Sequence, residues 1–294
     1  MSNLKQEIAE KVKSNRPKLS ASSLKTYISI LTNIYKAMNG QGDKIDWYTD
    51  NIKNILEFLE SKNDQSKKTS LSALFVLTGM QEYRDVMMEV MSRVNNVYKQ
   101  QKKTPKQEEN WMSSDEIKIV YNNQLENALK MLSTKKKFND REFIEFLLVA
   151  FLSGVVMPPR RSQDYGEMKI RNYNPKTDNY YKTGKFYFNI YKTSGTYGLQ
   201  TLDVPKALNT LIKKWIKLNN NDYMLYSTNN NKLSSPQINR ILNNAFGKSI
   251  STNMLRHIYL TEQYKNIPAI SEMQDLAREM GHSTAQAMEY IKKK

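Results

Sequence analysis

Phe143-Ile-Glu-Phe-Leu-Leu-Val-Ala-Phe151, followed by Pro158-Pro-Arg-Arg-Ser-Gln-Asp164, is the stretch on which the fold of this 294-residue chain turns. So dense an apolar run predicts a helix covered on every face. Taken alone, the two prolines and two arginines that follow read as a solvated basic turn. Downstream, Met168 to Tyr173, Phe186 to Tyr191 and Leu199 to Val204 are short, rich in aromatic and β-branched residues, and separated by Gly, Asn and Pro. They predict a small antiparallel sheet. Helical spacing returns in Pro205 to Leu218, Gln237 to Phe246, Asn253 to Tyr264, Ile270 to Met280 and Ala285 to Ile291. The expected fold class is mainly α with a small antiparallel β-sheet.

Towards the N-terminus the pattern is purely helical. Leu24, Tyr27, Ile28, Leu31, Ile34, Tyr35 and Met38 recur at threes and fours between Ser22 and Asn39. Similar segments run from Trp47 to Leu59, Ser70 to Met80 and Tyr83 to Tyr98, predicting a bundle. Apolar residues then vanish from Lys99 to Glu109, and Pro105 interrupts any helix. The expected organisation is a helical domain over 1–104, a linker over 105–112 and a second domain over 113–294.

Composition narrows the function. Lys and Arg number 45 against 29 Asp and Glu, a formal net charge of +16, which points to a polyanionic partner, most commonly nucleic acid. With no cysteine and 2 histidines, thiol nucleophiles, zinc ribbons and most histidine metal sites are excluded. No apolar run reaches the length of a membrane span, and the first residues lack a secretory pattern, so an intracellular, non-secreted protein is expected. Phosphate-loop, HExxH, EF-hand and GxSxG motifs are absent, and the carboxylates are scattered. Neither a metal nor another cofactor is expected.

What remains is a set of cations and phenols in the C-terminal half: Arg160, Arg161, Lys192, Arg256, His257, His282 and Tyr290. A phosphodiester under attack gathers negative charge on its non-bridging oxygens, and guanidinium forks match those oxygens with parallel donors. A phenolate can attack phosphorus and conserve the bond as a phosphotyrosine ester, while an ammonium protonates the leaving 5′ oxygen. Taken singly, each residue has a plainer reading: a solvated basic turn, a hairpin lysine, a surface arginine, a helix-capping histidine, a packing aromatic.

In series they resemble the tyrosine recombinases and integrases. Arg161 and Asp164 match that family's Arg-x-x-Glu/Asp box, with Arg160 beside them, and Lys192-Thr-Ser-Gly-Thr-Tyr197 falls at the strand turn that carries its lysine. Asn253-Met-Leu-Arg-His257 matches its His-x-x-Arg-His box with asparagine in the first place, and Met280-Gly-His282 precedes Tyr290 at the family's interval.

The resemblance implies a core-binding domain and a catalytic domain closing on double-stranded DNA, with self-association as a dimer or tetramer. It casts Tyr290 as nucleophile, Arg161 and Arg256 as the phosphate clamp, His282 as a further donor, Lys192 as general acid and Asn253 as a phosphate contact. Asp164, Arg160 and His257 support them. An amide cannot take up the phenolic proton as the family's histidine can. Ser234, Gln237 and Arg240 resemble a DNA-facing helix, and Lys25 is of phosphate-contacting type. The implied activity is site-specific recombination or integration without metal or ATP; the alternatives are a type IB topoisomerase and a DNA-binding regulator that has lost catalysis. The Pro-Pro-Arg-Arg-x-x-Asp-Tyr form of the first box, in an Asn/Lys-rich chain, looks like integrases of large DNA viruses and mobile elements, which would place the protein in a host cytoplasm or nucleus, or in a virion.

Overall fold

A computed structural model describes residues 2–42, 44–133, 138–279 and 283–284. The chain divides into two compact units, one built from residues up to Lys102 together with the segment from Pro268, the other from Lys103–Ile267.

The first unit contains α1 (Ser2–Asn15), α2 (Ala21–Ala37), α3 (Trp47–Asp50), α4 (Ile52–Glu60), α5 (Asp64–Thr78) and α6 (Gln81–Lys99). Leu4, Ile8 and Val12 of α1 recur every fourth residue and are fully buried, a helical signal that the reading of the sequence above passed over. Helix starts follow local capping chemistry, which moves two of them upstream of the apolar spacing. Ser20 accepts from the Ser23 amide at 3.1 Å and Asn63 from the Ser66 amide at 2.9 Å, each bond contributing about 1 kcal/mol. Two phenols brace the core: Tyr48 donates to the Leu31 carbonyl at 2.9 Å and Tyr83 to the Tyr48 carbonyl at 2.6 Å. Burial pushes both tyrosines above the usual phenol range, so they stay neutral donors. Lys25 is exposed on α2.

The second unit opens with α7 (Pro105–Asn110) and α8 (Ser114–Ser133), followed by α9 (Asp140–Leu152) and α10 (Ser162–Gly166). Pro105, read above as an interruption, instead sits at the first helical position, where its missing N–H costs nothing. Thr104 and Gln107 complete the capping box, with bonds of 2.8 and 3.3 Å. Every residue of α9 from Phe146 to Leu152 is buried, which is the all-round burial its composition implies.

Four short strands follow, β1 (Met168–Lys169), β2 (Asn179–Lys182), β3 (Lys185–Phe188) and β4 (Gln200–Asp203), in the order β1-β2-β3-β4. The last three form an antiparallel meander, whereas β1 pairs parallel to β2. Strand β2, Asn-Tyr-Tyr-Lys, has polar ends and escapes a reading based on apolar alternation. Phe186 and Phe188 point into the core against Tyr165 and Phe151. On the opposite face Tyr173, Tyr180 and Tyr187 stack with centroid spacings of 4.3 and 4.5 Å. Between β3 and β4 lies α11 (Ser194–Tyr197); α12 (Lys206–Leu218), α13 (Ser235–Phe246) and α14 (Thr252–Gln263) complete the unit. The last described helix, α15 (Ile270–Glu279), groups with the first unit, and the Ile270 amide donates to Gln101 Oε1 at 2.9 Å. The helix expected over Ala285 to Ile291 lies outside the described residues.

Helices α10 and α13 approach closely through Gly166, where an added Cβ would stand 2.6 Å from the Leu233 carbonyl oxygen. A backbone atom cannot rotate away, so Gly166→Ala is expected to destabilise the protein by about 1–3 kcal/mol. Thermal melting checks this; an unchanged midpoint would refute the tight approach.

Candidate active site

The segment leaving α9 turns at Gly154, whose φ of +83° is left-handed and whose added Cβ would lie 2.5 Å from a Tyr259 ring carbon of α14. The chain then runs through Pro158-Pro159 to Arg161, which sits in extended geometry (φ −73°, ψ 149°) at the N-cap of α10. The two adjacent arginines meet different fates. Arg160 Nε bonds Asp164 Oδ2 at 2.9 Å, its Nη1 bonds Gln200 Oε1 at 2.9 Å, and its guanidinium carbon lies 4.0 Å from the Phe188 ring centroid and 5.3 Å from that of Tyr191. Its donors and its flat face are largely occupied. Arg161 has no hydrogen-bond or ion-pair partner among the described residues.

Asp164 is 2% exposed. Burial pushes its carboxyl above the usual carboxylate range, opposed by the charges of Arg160, Arg161 and Arg256. One of its oxygens, Oδ1, is buried without a hydrogen-bond partner among the described residues. Arg256, from α14, is pushed below its ordinary value by burial and then by the positive charge of Arg161, with Asp164 pulling the other way. The fold therefore brings Arg161 and Arg256 within electrostatic reach of each other and of one buried carboxylate. Like Arg161, Arg256 has no hydrogen-bond or ion-pair partner among the described residues. Two guanidinium groups that influence each other's charge, and whose donors have no partner among the described residues, can together receive an anion.

The start of α14 is held in place by its neighbour: Asn239 Oδ1 on α13 accepts from the Thr252 amide at 3.1 Å and hydroxyl at 3.3 Å. In the next residue and one turn beyond it, Asn253 Nδ2 and His257 Nε2 lie 3.3 Å apart on the exposed face. Lys192 is exposed in the turn before α11. Its loop is closed by Tyr191, whose hydroxyl donates to the Gly198 carbonyl at 2.6 Å. Tyr191 and Gln200, at either end of this loop, both touch Arg160, so the lysine loop and the arginine segment share a foundation.

The remaining sequence-based candidates are placed as follows. Ser234 and Gln237 are engaged with each other: Gln237 Oε1 accepts from the Ser234 amide at 2.9 Å and hydroxyl at 2.7 Å, capping α13. Arg240 is exposed on the same helix. Lys25 belongs to the first unit. His282 and Tyr290 lie outside the described residues. Gln200, Tyr191 and Asn239 carry no local signal in the sequence, because each is a common residue type whose importance arises from a partner elsewhere in the chain.

Among the described residues there is no group of three or more His, Asp or Glu that could hold a metal ion. No helix among them is long and apolar enough to cross a membrane. A hollow of ≈ 260 Å³ between α8 and α14, lined by Trp111, Met112, Ile258, Thr261 and Glu262, carries a carboxylate and no cation, which does not suit a polyanion.

No family model and no curated protein matches the chain. Solved structures that it resembles include a recombinase and an integrase. XerA recombinase is 15% identical, with 100% of this chain and 94% of that chain covered at a TM-score of 0.36. A lambda integrase(75-356) dimer bound to a COC' core site is 16% identical, with 94% and 93% covered at a TM-score of 0.48. Lambda integrase (residues 75-356) bound to DNA is 16% identical, with 90% and 87% covered at 0.46.

Proposed function

We propose that this chain is a DNA strand transferase of the tyrosine recombinase type, acting in site-specific recombination or integration. The observation that carries the proposal is the convergence of Arg161, at the N-cap of α10, and Arg256, on α14, around buried Asp164, with no hydrogen-bond or ion-pair partner for either arginine among the described residues. A phosphodiester of duplex DNA supplies the anion that this pair lacks. In the reaction, Tyr290 Oη forms a bond to phosphorus as the P–O5′ bond breaks. The phenolic proton leaves to water, phosphate or a nearby base, and the Lys192 ammonium protonates the departing 5′ oxygen. Arg161 and Arg256, with His282 and Asn253, hold the charge that builds on the non-bridging oxygens. A 5′ hydroxyl from a second strand then attacks the phosphotyrosine, restores the phosphodiester and frees Tyr290, so the backbone bond is exchanged without hydrolysis.

On this reading residues 1–104 form the core-binding domain, 105–112 the linker and 113–294 the catalytic domain. Lys25 and Arg240 face DNA; Ser234 and Gln237 shape the start of the DNA-facing helix, because their side chains are already engaged in its cap. Assembly on paired sites as a dimer or tetramer, an intracellular setting and a viral or mobile-element source complete the proposal.

The test is to trap the protein on a nicked suicide duplex, whose cleaved 5′ fragment diffuses away, and to map the covalent adduct. The adduct is expected on Tyr290, with undiminished yield in chelator, and Tyr290→Phe should abolish it while retaining DNA binding. An adduct elsewhere would overturn the mechanism. DNA products unchanged by Tyr290→Phe would identify a binding regulator, and supercoil relaxation without strand exchange between paired sites a topoisomerase.

A further inference from the structure

Asn179, on β2, is completely buried. Its Nδ2 donates to the Asp164 carbonyl at 3.0 Å and to the Ile190 carbonyl at 2.8 Å, while Oδ1 accepts from the Asn189 amide at 2.8 Å and the Ile190 amide at 2.7 Å. An amide side chain offers two donors and two lone pairs, and all four are used. Two carbonyls on one side and two amides on the other also fix which end is nitrogen.

The partners divide into two groups. The Asp164 carbonyl belongs to α10, the helix with Arg161 at its N-cap position, and the Asp164 carboxylate feels the charges of both Arg161 and Arg256. Asn189 and Ile190 are the residues from which the chain enters the Lys192 loop. A side chain serving only to end strand β3 would need the second group alone. Asn189 is fastened again at its own side chain, which donates to the Asp178 carbonyl at 2.6 Å, so the loop entry is held from two directions.

We infer that Asn179 is a positioning residue that sets Lys192 relative to the Arg161 phosphate clamp by joining α10 to the entry of the lysine loop. This rests on the strand-transfer reading given above, in which Lys192 protonates the leaving oxygen. A rigid link matters here because proton delivery requires the donor within about 3 Å of the leaving atom, whereas an exposed lysine on an untethered loop would sample many positions.

The experiment compares Asn179→Ser and Asn179→Asp with wild type and Lys192→Ala on two suicide duplexes, one natural and one with sulfur in place of the bridging 5′ oxygen. A thiolate departs without a proton, so the sulfur duplex needs no general acid. On the natural duplex both Asn179 variants should form adduct at least about tenfold more slowly, with DNA binding unchanged. On the sulfur duplex both should return towards the wild-type rate, as Lys192→Ala does. Adding Asn179→Ser to Lys192→Ala should cause no further loss, because both changes act on one step.

The inference is overturned if the variants lose rate equally on both duplexes, lose binding and rate together, or add their losses to that of Lys192→Ala. Failure of both variants to fold would also overturn it, leaving Asn179 a residue of the fold alone. By contrast, absence of any wild-type adduct, or a Lys192→Ala defect that sulfur does not relieve, would fault the strand-transfer reading itself.

Discussion

Arg161→Ala is expected to slow covalent adduct formation on a suicide duplex by about 10²–10³-fold, the loss typical of one preorganised charge-stabilising donor, and to leave thermal stability unchanged. Arg161 makes no hydrogen bond or ion pair among the described residues, and its charge already disfavours that of Arg256. Removing it takes away both repulsion of Arg256 and attraction to Asp164 in the free protein, which offset each other, and attraction to the phosphate in the transition state. Stability should therefore stay level while catalysis collapses. Arg161→Lys should recover little, since a point charge cannot reproduce a two-pronged contact with phosphate oxygens. A melting midpoint that falls with the rate would show that Arg161 holds the fold together and would remove the clamp from the mechanism.

Its neighbour should behave in the opposite way. Arg160→Ala is expected to destabilise the protein by about 3–5 kcal/mol, the cost of leaving a buried carboxylate without its partner. Arg160 is 21% and Asp164 3% exposed at the side chain, so water cannot replace the guanidinium, and Gln200, Phe188 and Tyr191 lose their contacts as well. The deficit should depend on pH. Burial already raises the Asp164 carboxyl above its ordinary value, and loss of Arg160 raises it further. An acid whose folded value exceeds its unfolded value costs stability above the folded value, and the cost fades as pH falls through it towards the unfolded one. Denaturant melts of Arg160→Ala should thus approach wild type on acidification, and adding Asp164→Asn should recover part of the loss at neutral pH. A pH-independent deficit would mean that packing, not charge burial, dominates at this position.

These contrasting outcomes for adjacent, identical residues mark the boundary of what is legible in a sequence. The all-round burial of α9, the periodic faces of α2 and α6 and the polar stretch after Lys99 follow from local spacing and composition. Those features report on the next few residues and on solvent, and need no knowledge of distant partners. Two local features are less legible: Pro105 blocks continuation of the preceding helix, yet with Thr104 and Gln107 it also starts the next one, and the polar ends of β2 hide it from apolar alternation. The site is a different matter. Residue order lined up Arg161, Lys192 and Arg256 with a known series, yet no spacing says that Gln200, Phe188 and Tyr191 occupy Arg160 while Arg161 is left free. Nor does any single-residue signal separate buried Asn179 from the many asparagines in turns.

The sequence alone determined the fold class and most of its helices, the basic charge that calls for a polyanion, and the candidate chemistry of the C-terminal half, because each depends on residue type and short-range order. Only the tertiary structure decided which cations are spent on the fold and which are left for a ligand. Burial, hydrogen bonding and charge repulsion are set by residues far apart in the chain, and they exist only once α10, α14 and the lysine loop have been brought together.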